Sequence, residues 1–175
     1  MRTVEQGRIL DFGSLFGRWE ITRSTADTRG ELFEVRVEAP PGDGPPLHVH
    51  RHAEESYRVL SGVLEVNVEG EWERVVAGET LTVPVGKAHT LRNSAPVVLI
   101  NTHKPALEFE RFFRRLHKLV TEQGVRLPPK DLKSAVLTGM LFAAHERENI
   151  TVQPPQVVMR VLATLGRLLG YRLPG

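Results

Sequence analysis

Between Pro45 and Gly62 the chain reads PPLHVHRHAEESYRVLSG, and five side chains able to ligate a metal or move a proton, His48, His50, His52, Glu54 and Glu55, fall within eight positions. A second segment, GETLTVPVGKAHTLRN from Gly78 to Asn93, adds His89 just after a Pro84/Gly86 turn. The chain contains no cysteine. Thiolate zinc sites, cysteine nucleophiles and disulfide staples are therefore excluded, and any ion must be held by imidazole and carboxylate.

Parity along a strand sorts the candidates. His48 and His50 are two apart, so on a strand both point to one face. Glu55 lies five after His50 and faces the other way unless a turn or bulge at Arg51-His52-Ala53-Glu54 resets the register. With the reset, Glu55, Tyr57 and Val59 share the interior face, and Glu54, Ser56 and Arg58 face out. Without it, His48, His50, His52 and Glu54 form a four-ligand cluster on one strand, with Tyr57 and Val59 outside. Binary patterning favours the reset, but the unbroken strand remains open as an alternative. His89, followed at steps of two by Leu91 and Asn93, emerges pointing inward. Three histidines and a carboxylate leave one or two positions of a five- or six-coordinate ion open, the layout of a catalytic rather than a structural site. The expected metal set is His48, His50, Glu55 and His89, with Glu55 also a proton acceptor. Tyr57 is a core position by parity and a catalytic candidate by its nearness to Glu55. His52 and Glu54 read as exposed turn residues, His103 as lying beyond the last strand and away from the pocket, and His117 and His145 as surface residues of the tail.

The elements that must hold these side chains change period partway along the chain. From about Trp19 to Thr102, short alternating segments such as LFEVRVEA and VLEVNVEGEW predict half-buried strands, the second folding back at Gly70 as a hairpin. After Pro105 the period is helical. Phe109, Phe112, Phe113, Leu116, Leu119 and Val120 form one apolar stripe ending near Gly124. A second helix is expected from about Lys130 to His145 with Leu132, Val136, Met140 and Ala143 on one face, and a third from about Pro154 to Gly170. The third is too apolar to stand in water alone, so it is expected to pack on the strands or on a partner subunit, with an interfacial membrane role as the weaker alternative. ENITVQPP, between the last two helices, reads as a linker.

With the spacing in view, the sequence resembles the cupin superfamily. The first cupin motif, G(X)5HXH(X)4E(X)6G, is met by Gly42, His48, His50, Glu55 and Gly62. The second, G(X)5PXG(X)2H(X)3N, is met by Gly78, Pro84, Gly86, His89 and Asn93, with 15 residues between the two motifs. The resemblance covers about Phe33 to Thr102. It implies a mainly β fold, a jelly-roll β-barrel, with metal bound inside by His48, His50, Glu55 and His89 and substrate entering at the mouth. The division expected is 1–104 for the N-terminal segment and barrel and 105–175 for a C-terminal extension of about three helices, which inherits nothing from the family.

Composition narrows the function classes. Of 175 residues, 41% are hydrophobic and 25% charged, as in a globular chain. Residues 1–103 carry 11 basic and 15 acidic side chains, and residues 104–175 carry 12 and 6. An acidic front half argues against nucleic-acid binding there, and the proline-rich segment between the last two helices is too long for a helix-turn-helix. No leader-like apolar run or spanning segment is read, so a cytoplasmic protein is expected. The expectation is an enzyme with one divalent transition metal per chain (Fe, Mn, Ni, Cu or Zn), a dioxygenase-like oxidoreductase acting on a small organic molecule, and a homodimer. The alternatives are a metal-dependent sugar or sugar-phosphate isomerase or epimerase, and a non-catalytic ligand-binding or sensor protein.

Overall fold

The computed structural model describes residues 7–175; residues 1–6, the start of the segment expected to lack a leader, lie outside the described residues. Among the described residues, twelve strands precede or interleave three helices. They are β1 (Ile9–Asp11), β2 (Arg18–Arg23), β3 (Phe33–Ala39), β4 (Gly42–Asp43), β5 (Leu47–Val49), β6 (Glu54–Ser61), β7 (Val63–Val68), β8 (Glu71–Val76), β9 (Thr80–Val83), β10 (Ala88–Asn93), β11 (Val97–Lys104) and β12 (Ile150–Gln153). The helices are α1 (Phe109–Thr121), α2 (Leu132–Ala144) and α3 (Gln156–Leu168).

The strands form two sheets, ordered β1-β2-β3-β11-β6-β9 and β12-β5-β10-β7-β8, with β4 paired to β10. The fold is mainly β as expected; the sheets do not close into a barrel but remain two separate layers, an arrangement consistent with the jelly roll. Alternation is the reason they stack. Phe33, Val35 and Val37 of β3 and Leu64 and Val66 of β7 are buried as the period-2 pattern requires, and they join Ile21, Val59, Val83 and Leu99 in one core cluster. The β7–β8 hairpin pairs Val68 with Glu71, so Glu69 and Gly70 form the two-residue turn. Both have positive φ, 55° and 99°, the pattern of a type I′ turn, and Asn67 Oδ1 accepts from the Gly70 amide at 3.1 Å.

The tail follows the helical stripes, with two corrections. α2 is buried nearly all round, from Val136 through Phe142, whereas Leu132, expected on its packed face, is exposed. α3 buries only a narrow strip, Met159, Ala163 and Gly166, in a second core cluster or against Met140 and Val136 of α2. Its large side chains Val157, Val158, Val161, Leu165 and Leu168, with Leu169 just past its end, stay exposed, so the helix does not spend its apolar face on the sheets. α1 is the joint, with Phe109 in the first cluster and Phe112 in the second. None of the described helices is long and apolar enough to cross a membrane.

One glycine of the first motif has a clear backbone reason. Gly62 has φ 84°, and a Cβ there would lie 2.5 Å from the Pro96 carbonyl oxygen. Gly78 has φ 94° but nothing within 4 Å of its Cβ position. Gly62→Ala is therefore expected to cost about 2 kcal/mol or more, and Gly78→Ala about 1 kcal/mol, the strain of a positive φ alone. Equal midpoints for the two variants in urea unfolding would contradict this account.

Candidate metal centre

The chain bends at Arg51 and His52, between the end of β5 and the start of β6. That bend resets the register. Glu55, Tyr57 and Val59 face the interior, while His52, Glu54 and Arg58 are exposed and Ser56 is half-buried. Gly86 of the second motif ties the bend down, its amide donating to the His50 carbonyl at 2.8 Å. Asn93 Nδ2 donates to the carbonyls of Pro40 and Ala95, both at 2.8 Å, and so closes the loops beside β10.

The side chains then converge from both layers. His48 on β5 sits directly opposite His89 on β10 in the second sheet. Glu55 rises from β6 in the first sheet, opposite His103 on β11. One donor atom from each of His48, His50, Glu55 and His89 lies within 4.8 Å of the other three, and all four residues are buried, with at most 5% of their surface exposed. His50 Nε2 and His89 Nε2 approach Glu55 Oε2 at 2.9 and 2.7 Å, and His48 Nε2 is 3.2 Å from His50 Nε2.

The opposite ring nitrogens define the tautomers. His48 Nδ1 meets the Pro46 carbonyl at 2.8 Å, His50 Nδ1 the Glu148 carbonyl at 2.7 Å, and His89 Nδ1 the Lys87 carbonyl at 3.0 Å. A carbonyl can only accept, so each Nδ1 donates, and a ring in its neutral form then has its Nε2 lone pair facing the cluster. Three lone pairs and a carboxylate facing one another within a few ångströms are a poor arrangement without a positive charge between them. The set fits a divalent first-row ion, which imidazole and carboxylate accept. Burial, reinforced by His89 and His50, keeps His48 well below the usual imidazole range and hence neutral. For Glu55, burial pushes the carboxyl up, but the neighbouring His103 and the hydrogen bonds from histidine outweigh it and hold the group well below the usual carboxylate range. Burial likewise opposes protonation of His89, yet the Glu55 hydrogen bond raises it.

Two residues outside the expected ligand set belong to this cluster. Asn101 Nδ2 donates to Glu55 Oε1 at 2.8 Å, and His103 Nε2 lies 3.2 Å from the same oxygen. They leave Oε2 facing the three histidines. This corrects the expectation that His103 lies away from the pocket. The available signal was parity: Val97, Leu99, Asn101 and His103 alternate on the buried face of β11, so two polar groups stand where apolar ones are the rule. His103 also stacks on Phe109 of α1, ring centroids 3.9 Å apart. Tyr57 is buried in the core, and its hydroxyl has no hydrogen-bond partner. Burial first, then the charge of Glu55, raises its phenol well above the usual range. His145, expected on the surface, is 2% exposed and corrected to a buried residue. His117 remains at the surface, hydrogen-bonded to the Asp11 carbonyl at 3.1 Å.

Glu54 and Glu55 separate the two registers experimentally. Glu55→Ala is expected to abolish stoichiometric metal uptake in elemental analysis of the purified protein, and Glu54→Ala to leave it intact. The reverse pattern would restore the unbroken strand.

Residues 35–103 match the cupin domain family model (Cupin_2). Quercetin 2,3-dioxygenase of Bacillus subtilis (strain 168) is 38% identical over 80 residues, 45% of this chain and 24% of that one. Mannose-1-phosphate guanylyltransferase 2 of Escherichia coli O157:H7 is 33% identical over 72 residues, 41% of this chain and 15% of that one. The chain thus spans a quarter or less of the length of these curated relatives. Among solved structures, an RmlC-like cupin from Shewanella frigidimarina NCIMB 400 aligns with TM-score 0.48 and 28% identity over 58% of this chain and 86% of that one. KdgF from Halomonas sp. aligns with TM-score 0.47 and 24% identity over 53% and 83%. Residues 35–103, the stretch that carries both histidine motifs, thus match the cupin domain model, and that match supports a cupin assignment for this part of the chain.

Proposed function

We propose that this protein is a mononuclear metal-dependent oxidoreductase that uses dioxygen on a small enolic or phenolic molecule. The observation that carries the reading is the buried cluster whose three Nε2 lone pairs and one carboxylate oxygen converge. The matched stretch of a quercetin 2,3-dioxygenase supports it. His48, His50 and His89 would hold the ion through Nε2 and Glu55 through Oε2. A bound Fe, Mn, Ni, Cu or Zn ion supplies Lewis acidity, and the redox-active ones among them also supply electron transfer to dioxygen.

The protein's own groups do the rest. Asn101 and His103 hold Glu55 Oε1, so Oε2 alone is turned toward the substrate side, where it can accept the proton of an acidic hydroxyl. Phe109 closes over His103 and sets its ring edge on His50 at 5.0 Å, excluding water from that side of the cluster. Tyr57, held protonated, is a donor without a partner beside the carboxylate and serves as the second catalytic candidate.

Protein reconstituted with each metal is expected to consume dioxygen only when a flavonol, catechol or diketone is present, as read with an oxygen electrode. Absence of substrate-dependent uptake with every metal would overturn the reading. A second reading is isomerisation of a sugar or sugar phosphate; the matched stretch of a mannose-1-phosphate guanylyltransferase supports the sugar-phosphate ligand class but not the reaction. It requires turnover that persists under nitrogen, which the oxidoreductase reading forbids.

The assembly belongs to the same proposal. Val161 is 62% and Leu168 80% exposed on α3, and β12 beside it is the terminal strand of its sheet, with Val152 exposed. A second copy of the chain meeting this helix face and sheet edge would cover both at once, as a two-fold interface requires. The wild type is expected to be a dimer by light scattering and Val161→Glu/Leu168→Glu a monomer. A monomeric wild type whose liposome binding is lost in the variant would assign the face to a lipid surface instead.

A further inference from the structure

His50 is anchored differently from the other two imidazoles. His48 and His89 each donate Nδ1 to a carbonyl two residues earlier in their own segment, Pro46 and Lys87. His50 instead donates to the main-chain oxygen of Glu148, 98 positions later, in the loop that follows α2. That contact is buried and short, 2.7 Å. It comes from outside residues 35–103, so neither motif specifies it.

The Glu148 carbonyl is held from two directions. On one side its own carboxylate is locked between helices. Oε1 accepts from the Glu108 amide at the start of α1 at 3.3 Å, and Oε2 faces His145 Nδ1 at 3.4 Å. His145 in turn accepts through Nε2 from Arg115 Nη1 of α1 at 3.3 Å, which leaves its proton on Nδ1, toward Glu148. Both Glu148 and His145 are at most 3% exposed. Burial would raise the Glu148 carboxyl, but His145 and the Glu108 amide hold it below the usual carboxylate range, so it is charged inside this clamp. On the other side β12 runs along β5, with Ile150 opposite Val49 and Thr151 opposite His48. Thr151 is pinned through both its amide and its hydroxyl to Gln156 Oε1 at 3.0 Å. The carbonyl cannot rotate without breaking one of these sets.

We propose that Glu148 is a positioning residue of the metal centre: its clamped carboxylate holds its own carbonyl on His50 Nδ1, so that the C-terminal helices set the affinity and geometry of the ion. The proposal rests on the metal reading above. Donation from Nδ1 to a fixed acceptor orients the ring, selects the tautomer that ligates through Nε2 and raises the basicity of that nitrogen. Loss of such a partner typically weakens metal binding by about 10- to 100-fold.

Metal-free full-length protein is to be titrated with Co(II) against a competing chelator, recording the visible ligand-field spectrum and the thermal midpoint before metal is added. Glu148→Ala is expected to weaken Co(II) binding about 10-fold or more and to change the spectrum. Glu148→Gln keeps an acceptor for the Glu108 amide and is expected to recover most of the affinity. Arg115→Gln, which touches neither His50 nor Glu148, is expected to shift both readouts in the same direction by less, and it carries the test alone if Glu148→Ala does not fold. A merely structural role would lower the midpoint while leaving affinity and spectrum at wild-type values, and that result overturns the proposal. Failure of the wild type itself to take up Co(II) overturns the metal reading, and this proposal with it. Tight wild-type binding matched by folded variants overturns the positioning role alone.

Discussion

Glu55 stands in one sheet, His48 and His89 in the other, and His50 just past the end of β5, so the polar heart of this molecule is also a bridge between its two layers. Burying a carboxylate there costs several kcal/mol unless its lone pairs are met. Oε1 is met by Asn101 and His103, whereas Oε2 faces the Nε2 atoms of His50 and His89, an approach that needs a shared proton or cation to satisfy it. The surrounding structure follows from that demand. His103 must face Glu55 across the β6–β11 ladder, His89 must face His48 across β5–β10, and the bend at Arg51-His52 must shift the chain by one parity step between the two. A one-residue slip in β6 would turn Glu55 out to solvent and leave the histidines facing only one another.

That dependence explains why so much of the centre could be read from residues 45–93. Strand alternation has a period of 2, so side-chain direction follows from counting. The odd offset between His50 and Glu55 itself announces a break in the strand, and the polarity of Glu54 and Arg58 says which way the strand resumes. Asn101 and His103 obey the same counting. They are less conspicuous because His103 stands two residues before Pro105, which reads as the end of the element.

The tail was legible as helices and opaque as a contributor to the centre. Helical stripes tell which face is apolar, but not what it meets. α2 is enclosed on all sides, and α3 leaves most of its large side chains in solvent. The four residues of β12 lie in a stretch where two prolines and neighbouring charges imitate a linker. Four residues are too few for periodicity to declare a strand, and this one exists because β5 offers it an edge. His145 looked like a surface histidine because its partners, Arg115 and Glu148, are distant in sequence or belong to a turn. Contacts made through a main-chain oxygen, as Glu148 makes to His50, carry no signature in residue type at all.

The 98-residue gap between His50 and Glu148 also imposes an order in time. A chain made from its N-terminus presents both motif segments, and all four candidate ligands, well before the last support of His50 has been synthesised. Until β12 arrives, β5 has a bare edge and one imidazole is free to turn over. Closing so long a loop is a late, entropically costly event in folding. The His48, His50, Glu55 and His89 cluster therefore reaches its final geometry only once the helices have docked, which makes its order a report that the C-terminal helices, and not just residues 35–103, have folded.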